Sequence, residues 1–264
     1  MTATPAMANV EKVDVLTVRH WNESLFSFST SRWQGLRFEA GQFVTLGLEI
    51  GGRPLMRAYS IVSAPYEERL EFLSIKVPDG PLTSQLQHLR PGARVLMGRK
   101  ASGSLLLADL TPARHLYLFS TGTGLAPFMS VIRDPQTFER FEKIILLHGV
   151  RRVDDLAYRD YLENELPHDD HLGEAIRRQF IYCPAVTREA FARRGRIDEL
   201  VDAGGLEREF GLPPLNPDTD RAMLCGSSAM LASVSCMLAR RGFRVSPGIG
   251  QFGEFVVERA FADK

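Results

Sequence analysis

The apolar pattern of this chain changes its period once, near residue 112, and that change constrains the fold more than any bulk property. Before it, the runs "KVDVLTVRH", "LFSFST", "GQFVTLGLEI", "RLEFLSIKV" and "ARVLMG" alternate or carry β-branched and aromatic residues, with Gly, Pro and Asn between them. Successive side chains of a strand point to opposite faces, so these runs read as closely spaced half-buried strands. No long helical stretch separates them, which predicts an antiparallel barrel or sandwich. The exception, "GPLTSQLQHLRPG", predicts one short helix started near Pro81 and stopped by Pro91-Gly92. After residue 112 the strand-like runs "HLYLFS", "KIILLHGV", "QFIYCPAV" and "RAMLCG" alternate with helical ones, "DLAYRDYLENEL" and "SSAMLASVSCMLARR", and "EFVVERAF" forms a last strand. A βαβ series implies a parallel sheet covered by helices. The expectation is therefore a two-domain protein: an antiparallel β-barrel domain over 1–111 and an α/β parallel-sheet domain over 112–264, meeting at "ADLTPARH". Neither repeats nor a low-complexity linker interrupt the chain, so the domains are expected to pack closely. "GGLEREFGLPPLNPDTD" reads as a surface loop.

Charge and cysteine usage narrow the function classes. Lys and Arg total 32, as do Asp and Glu, so no net field draws the chain to nucleic acid or acidic membranes, although a local basic patch stays open. No apolar run approaches the roughly 20 residues of a membrane span. The start, "MTATPAMANVEKVD", lacks the basic and apolar regions of a secretion signal. Cys183, Cys225 and Cys236 are scattered and lack metal-ligand spacing, so reduced thiols in a cytoplasmic compartment and no metal or iron–sulfur site are expected.

Three motifs carry chemistry, each with a bland alternative. In "RAYS", alternation puts Arg57 and Tyr59 on one strand face, where a cation can meet a phosphate and a phenol can lie along a flavin; an ordinary half-exposed strand reads the same way. "SIKVPDGPLTSQL" sets Lys76 in a strand, then a turn at Gly80-Pro81 and a helix start whose unpaired N–H groups suit a pyrophosphate. Thr83 and Ser84 there either add hydroxyl donors or merely cap the helix. "STGTGLAPFMS" is a strand, a glycine turn and a helix, but Pro127 stands where the dinucleotide fingerprint wants glycine. It reads as a damaged fingerprint, a plain turn or another kind of nucleotide site.

"RAYS", "IKVPDGPLTSQL", "GTGLAPFMS", "LCGSSAM" and "VERAFADK", in this order, resemble the ferredoxin–NADP⁺ reductases, and the set is similar to their bacterial branch over nearly the whole chain. The resemblance implies an FAD site and an NADP(H) site. On the FAD side it implies Arg57, Ala58, Tyr59, Ser60, Lys76, Val77, Gly80, Leu82 and Thr83, with Tyr59 on one isoalloxazine face, Ser60 near N5 and Thr83 facing the pyrophosphate. "GTGLAP" becomes the family's nicotinamide-nucleotide loop, with Thr121, Gly122, Thr123, Gly124 and Pro127. Glycines there let the backbone turn and approach the ligand, and Pro127 is tolerated in a first helical turn.

Cofactor choice turns on charge. Sites that prefer NAD commonly carry Asp or Glu after the second strand, whereas "IILLHGVRR" and "TREAFARRGR" offer guanidinium groups that suit a 2′-phosphate. Resemblance implies Arg151, Arg188 and Arg196, although surface arginines are usually just solvated. It also implies that Cys225 and Gly226 line the nicotinamide site, with Cys225 positioning rather than attacking, and that Glu258 is a polar neighbour of both rings; the alternatives are a core thiol and a solvated edge-strand carboxylate. Plastid relatives end on an aromatic residue where this chain has Ala260, which leaves the flavin face less covered, and Phe261 is implied to stack on the FAD adenine. The implied activity is electron transfer between NADP(H) and a small acidic carrier, ferredoxin or flavodoxin, with Ser60, Cys225, Glu258 and Ala260 around the reacting atoms. A monomer with a basic docking patch is expected. Rivals are an oxygenase-reductase component, against which the absence of a fused ferredoxin's cysteine run counts, an NADPH diaphorase, and a non-catalytic flavin-binding regulatory subunit.

Overall fold

The computed structural model describes residues 9–260; Phe261 lies outside them. Its first sheet is built from β1 (Val10–His20), β2 (Leu25–Ser31), β3 (Phe43–Ile50), β4 (Arg53–Ser60) and β5 (Arg69–Ile75), then, after the helical turn α1 (Thr83–Leu86), β6 (Arg94–Gly98). The strand order is β4-β3-β6-β1-β2-β5 and every pairing is antiparallel. The sheet curls into a half-barrel because Ile61 and Phe72 bridge just beyond the β4 edge. The inward face fills with Phe26, Phe28, Leu46, Leu70, Phe72 and Met97, all fully buried. Phe28 and Phe72 stand opposite each other in register with ring centroids 5.5 Å apart, the kind of cross-strand aromatic pair that stabilises a sheet.

The second sheet follows β7 (His115–Thr121), α2 (Leu125–Ile132), α3 (Pro135–Arg140), β8 (Lys143–Val150), α4 (Gly173–Gln179), β9 (Phe180–Val186), α5 (Ile197–Asp202), α6 (Gly205–Phe210), β10 (Asp220–Gly226), α7 (Ser228–Arg240) and β11 (Phe255–Arg259). Its order is β11-β10-β7-β8-β9 and it is parallel throughout. Central strands covered on both faces read as unbroken apolar runs, and every residue of β10 is buried. Ser227 caps α7 by accepting the Met230 N–H, and Asp134 caps α3 ahead of Pro135. One apolar cluster joins the two layers: Leu25, Val62, Leu73 and Leu105 pack with Leu125, Phe128 and Met129 of α2.

Four local expectations are corrected. Lys76 follows β5 rather than lying within it, and α1 begins at Thr83, two residues after Pro81. The segment read as a loop contains α6, because Leu206 and Phe210, one turn apart, share a face that meets the core; Leu212 and Leu215 extend the same packing. The flanking glycines and prolines obscured that periodicity. The helix expected over "DLAYRDYLENEL" starts late: backbone is helical without a break only over 159–168, with a wide turn at Tyr161–Glu165 and a tight one at Leu166–His168. Tyr158 stands just before it with a left-handed φ of +61°, which costs a non-glycine residue about 1–2 kcal/mol.

His148 lies buried in β8 with Nδ1 3.0 Å from the Tyr182 hydroxyl, and burial pushes its imidazole down to about 3. The unfolded chain takes up a proton at pH values where the folded chain does not, so stability falls as pH drops from about 6.5 towards about 3. His148→Gln removes that term. Urea unfolding at about pH 7 and about pH 4.5 is expected to show the wild type losing on the order of 2 kcal/mol more than the variant.

Candidate functional site

The carboxyl ends of the parallel strands open onto a cleft of about 700 Å³. Thr121 ends β7 with Gly122 and Thr123 after it, Gly149 and Val150 end β8 with Arg151 after them, Thr187 and Arg188 follow β9, and Ser227 follows β10. The opposite wall comes from the half-barrel: Ser24, Leu25, Ile75 and Lys76. Chain order reverses between β7 and β10, and crevices at such a switch point are where open α/β sheets hold ligands.

Glycines shape the floor. A Cβ on Gly124 would sit 2.1 Å from the Cys225 carbonyl oxygen and 2.4 Å from its carbon. Only a bare backbone lets the turn between β7 and α2 come this close to the end of β10. Gly122 takes φ +58° and has nothing within 4 Å of its would-be Cβ, so its face is open to the cleft. Thr121 Oγ1 accepts the Ser227 N–H at 3.0 Å, tying the two loops together. No side chain caps the start of α2; Thr123 is buried and Pro127 occupies the third position of that wholly buried helix.

The structure brings Cys225, Gly226, Glu258 and Ala260 together by register. Cys225 pairs with Glu258 across β10 and β11, and the Ala260 N–H donates to the Gly226 carbonyl at 3.3 Å. Cys225 is fully buried and burial drives its thiol well above the ordinary value, so it is no thiolate nucleophile. Glu258 reaches across to the other domain, where its Oε2 accepts the Ser104 N–H at 2.9 Å. Ser60 joins this neighbourhood indirectly. It pairs with Phe43, which bridges to Ser102, and a Cβ on the adjacent Gly103 would lie 3.0 Å from Glu258 Oε2.

Burial pushes the Glu258 carboxyl up, and the Ser104 hydrogen bonds offset only part of that. Because the folded state holds this proton more tightly than the unfolded state, wild-type stability falls as pH rises through the carboxylate range. Glu258→Gln keeps an acceptor for Ser104 and drops the charge. Thermal unfolding is expected to show the variant higher by a few degrees near neutrality and equal to wild type once Glu258 is protonated in both the folded and the unfolded state.

The remaining residues divide. Arg57 and Ala58 are exposed on edge strand β4, and among the described residues no carboxylate pairs with Arg57. Tyr59 turns into the half-barrel, its ring 6.4 Å from Phe28 and its hydroxyl 3.5 Å from Ser74 Oγ. Lys76 Nζ donates to the Asn22 carbonyl at 2.7 Å. Gly80 is bare because a Cβ there would lie 2.3 Å from Thr83 Oγ1, and Thr83 donates back to the Val77 carbonyl rather than capping α1. Leu82 faces the core. On the cleft's outer rim Arg151 and Arg188 are exposed with no ion-pair partner among the described residues, the Arg188 N–H donating to the Arg151 carbonyl at 2.9 Å. Arg196 lies 3.9 Å from Asp198. Arg152, by contrast, is taken by Asp154 at 3.3 Å and Glu189 at 3.2 Å. Sequence reasoning missed Thr187 and Ser227, which the strand-end rule finds, and Ser24 and Asp155, for which no local signal exists.

Residues 12–100 match the family model of an oxidoreductase FAD-binding domain, and residues 118–235 that of an oxidoreductase NAD-binding domain. The chain is 55% identical over 258 residues to the ferredoxin–NADP reductase of Pseudomonas aeruginosa, covering 98% of this chain and all of that one. The chain belongs to the ferredoxin–NADP reductase family. The Azotobacter vinelandii ferredoxin–NADP reductase is 54% identical, again over 98% of this chain and all of the relative. Among solved structures, a Neisseria gonorrhoeae ferredoxin NADP⁺ reductase with bound FAD and NADP superposes with a TM-score of 0.86 at 30% identity, covering 96% of this chain and 100% of the other. This reductase is thus a two-domain oxidoreductase: an antiparallel half-barrel and a parallel α/β sheet. Among the described residues, no helix is long and apolar enough to cross a membrane.

Proposed function

We propose that this reductase exchanges electrons between NADP(H) and ferredoxin or flavodoxin through FAD. The observation that carries this reading is the cleft at the strand ends, where Gly124 brings bare backbone against β10 while Arg151 and Arg188 stand unpaired at the rim. The chemistry of these groups suits a phosphorylated dinucleotide: open backbone for the pyrophosphate and guanidinium forks for a 2′-phosphate dianion. The uncapped start of α1 and the unpaired Arg57 suit the flavin nucleotide in the same way. When bound, FAD supplies an acceptor for a hydride from NADPH that can release the pair as single electrons.

On this reading the chain's own groups position and exclude; none acts as a nucleophile. Thr121, Gly122, Thr123, Gly124 and Pro127 form the loop under the dinucleotide, with Arg196 beside Arg151 and Arg188. Arg57, Ala58, Tyr59 and Ser60, then Lys76, Val77, Gly80, Leu82 and Thr83, hold the flavin nucleotide. Buried Cys225 and Gly226, at the end of β10 behind the cleft, are the apolar backing we assign to the nicotinamide. Glu258 places a carboxyl beside the ring pair and ties β11 to Ser104. Ala260 keeps that face uncrowded, and we assign Phe261 to stacking on the FAD adenine. We divide the domains at residues 111 and 112, and the reading carries a monomeric cytoplasmic protein.

The test is anaerobic reduction of the bound flavin by NADPH and, separately, by NADH. Fast bleaching with NADPH and slow bleaching with NADH is the expected result. Equal rates would remove the 2′-phosphate assignment, and a purified protein that takes up no FAD would remove the whole reading. Turnover with quinones or metal chelates but with no ferredoxin or flavodoxin would favour the diaphorase alternative.

A further inference from the structure

The loop at the head of α2 belongs to the nucleotide cleft, but the opposite end of the helix is held by the other domain. All eight residues of α2 are buried, which makes it a short rod between the two layers. At its middle, Ser130 Oγ donates to the Ser63 carbonyl at 2.7 Å, while Ser63 Oγ accepts the Glu71 N–H at 2.9 Å. At its end stands Arg133, whose side chain is only 12% exposed. Its Nη1 lies 3.8 Å from both Glu67 Oε1 and Glu71 Oε2 of the half-barrel domain. Its guanidinium carbon sits 4.6 Å over the Tyr161 ring, and its carbonyl accepts the Tyr66 hydroxyl at 3.0 Å. Tyr158 closes the cluster. It donates to Glu71 Oε1 at 2.7 Å and packs on Trp21 with ring centroids 4.7 Å apart.

Two features mark this cluster as more than interface filler. The left-handed backbone of Tyr158 is held against its own preference, and such strain persists where surrounding contacts over-determine it. One guanidinium also stands between two partly exposed carboxylates, 3.8 Å from each and too far for hydrogen bonds, so removing it leaves like charges facing each other across the interface.

We propose that Arg133 is a positioning residue for hydride transfer: held by Glu67 and Glu71, it pins the far end of α2 and so sets where the Gly122–Gly124 loop presents the nicotinamide to the flavin side. The inference rests on the reading that NADPH reduces a flavin bound by the half-barrel. Reaction rate is far more sensitive to this alignment than binding is, because displacements of about 1 Å can cost roughly 100-fold in rate. Arg133 does not line the cleft, so loss of affinity is not the expected outcome.

The experiment uses the FAD-loaded reductase and its variants Arg133→Met, Arg133→Lys, Glu71→Gln and Tyr158→Phe. Limiting rates of flavin reduction at saturating NADPH are set beside NADP⁺ dissociation constants from calorimetry. Arg133→Met is expected to slow reduction roughly 10–100-fold with a dissociation constant within about twofold of wild type. Arg133→Lys is expected to recover most of the rate. Glu71→Gln is expected to slow the same step, and combining it with Arg133→Met to add little, as groups acting as one unit do. Tyr158→Phe, which removes one hydroxyl, carries the test if Arg133→Met does not fold, with the same split between rate and affinity expected. An Arg133→Met or Tyr158→Phe enzyme as fast as wild type overturns the inference, as does a rate loss matched by an equal loss of affinity. A wild-type flavin that NADPH leaves oxidised overturns the functional reading, and this inference with it.

Discussion

Gly124→Ala is expected to abolish productive NADP(H) binding, with kcat/KM for NADPH falling by about 100-fold or more. The added methyl meets the carbonyl group of Cys225, at 2.1 Å from oxygen and 2.4 Å from carbon, and both are backbone in a central strand. Neither side can yield as a flexible side chain would. Relief requires the head of α2 to lift from β10, which parts Thr121 from Ser227 and displaces the loop that lines the cleft. Overpacking of this kind also costs about 1–3 kcal/mol of stability. Calorimetric titration with NADP⁺ and urea unfolding measure the two effects separately. Gly122→Ala is the informative contrast: it meets no neighbour, only an unfavourable φ of +58°, so about 1–2 kcal/mol is at stake there. A Gly124→Ala protein that binds NADP⁺ like wild type would show that the loop is not the nucleotide platform.

The double variant Arg151→Ala/Arg188→Ala is expected to lose preference for NADPH while leaving NADH turnover nearly unchanged. Hydrogen bonds to a charged group contribute about 1.5–3 kcal/mol each, so losing two forks lowers kcat/KM for NADPH by about 100- to 10,000-fold. NADH has no 2′-phosphate to meet these side chains. Arg152→Ala should change little with either nucleotide, since its guanidinium already pairs with Asp154 and Glu189. Steady-state kinetics with both nucleotides at one ionic strength decide the matter, because exposed charge pairs weaken with salt. An equal fall with NADH would mean that the arginines steer any dinucleotide rather than read a phosphate.

Much of the architecture is legible along the chain, because it follows from local periodicity. Alternation in β1–β3 and β5, and the apolar runs of β7–β10, come from which faces are covered, and they distinguish a half-barrel from a parallel sheet without tertiary knowledge. Shorter elements are less legible. The periodicity of α6 spans barely two turns between Gly204 and the Pro213-Pro214 pair, so punctuation outweighs pattern. The helix expected across 155–166 begins only at 159, because Tyr158 is drawn out to reach Trp21 and Glu71, contacts formed with residues more than 80 positions away.

The site divides along the same line. Glycine chemistry at Gly122 and Gly124 and the arginine-rich strand ends are properties of a few consecutive residues, and the sequence alone determined them. Which arginine is free was decided only by folding. Arg151 and Arg152 are chemically identical neighbours, yet Glu189 arrives from the loop after β9 to occupy the second and leaves the first at the rim. The same holds for Glu258, half-buried and met by the Ser104 N–H of the other domain, and for Arg133, pinned by two carboxylates more than sixty residues earlier. Conformational preference is set within a few residues of the chain, whereas burial and charge pairing depend on what the fold brings within a few ångströms.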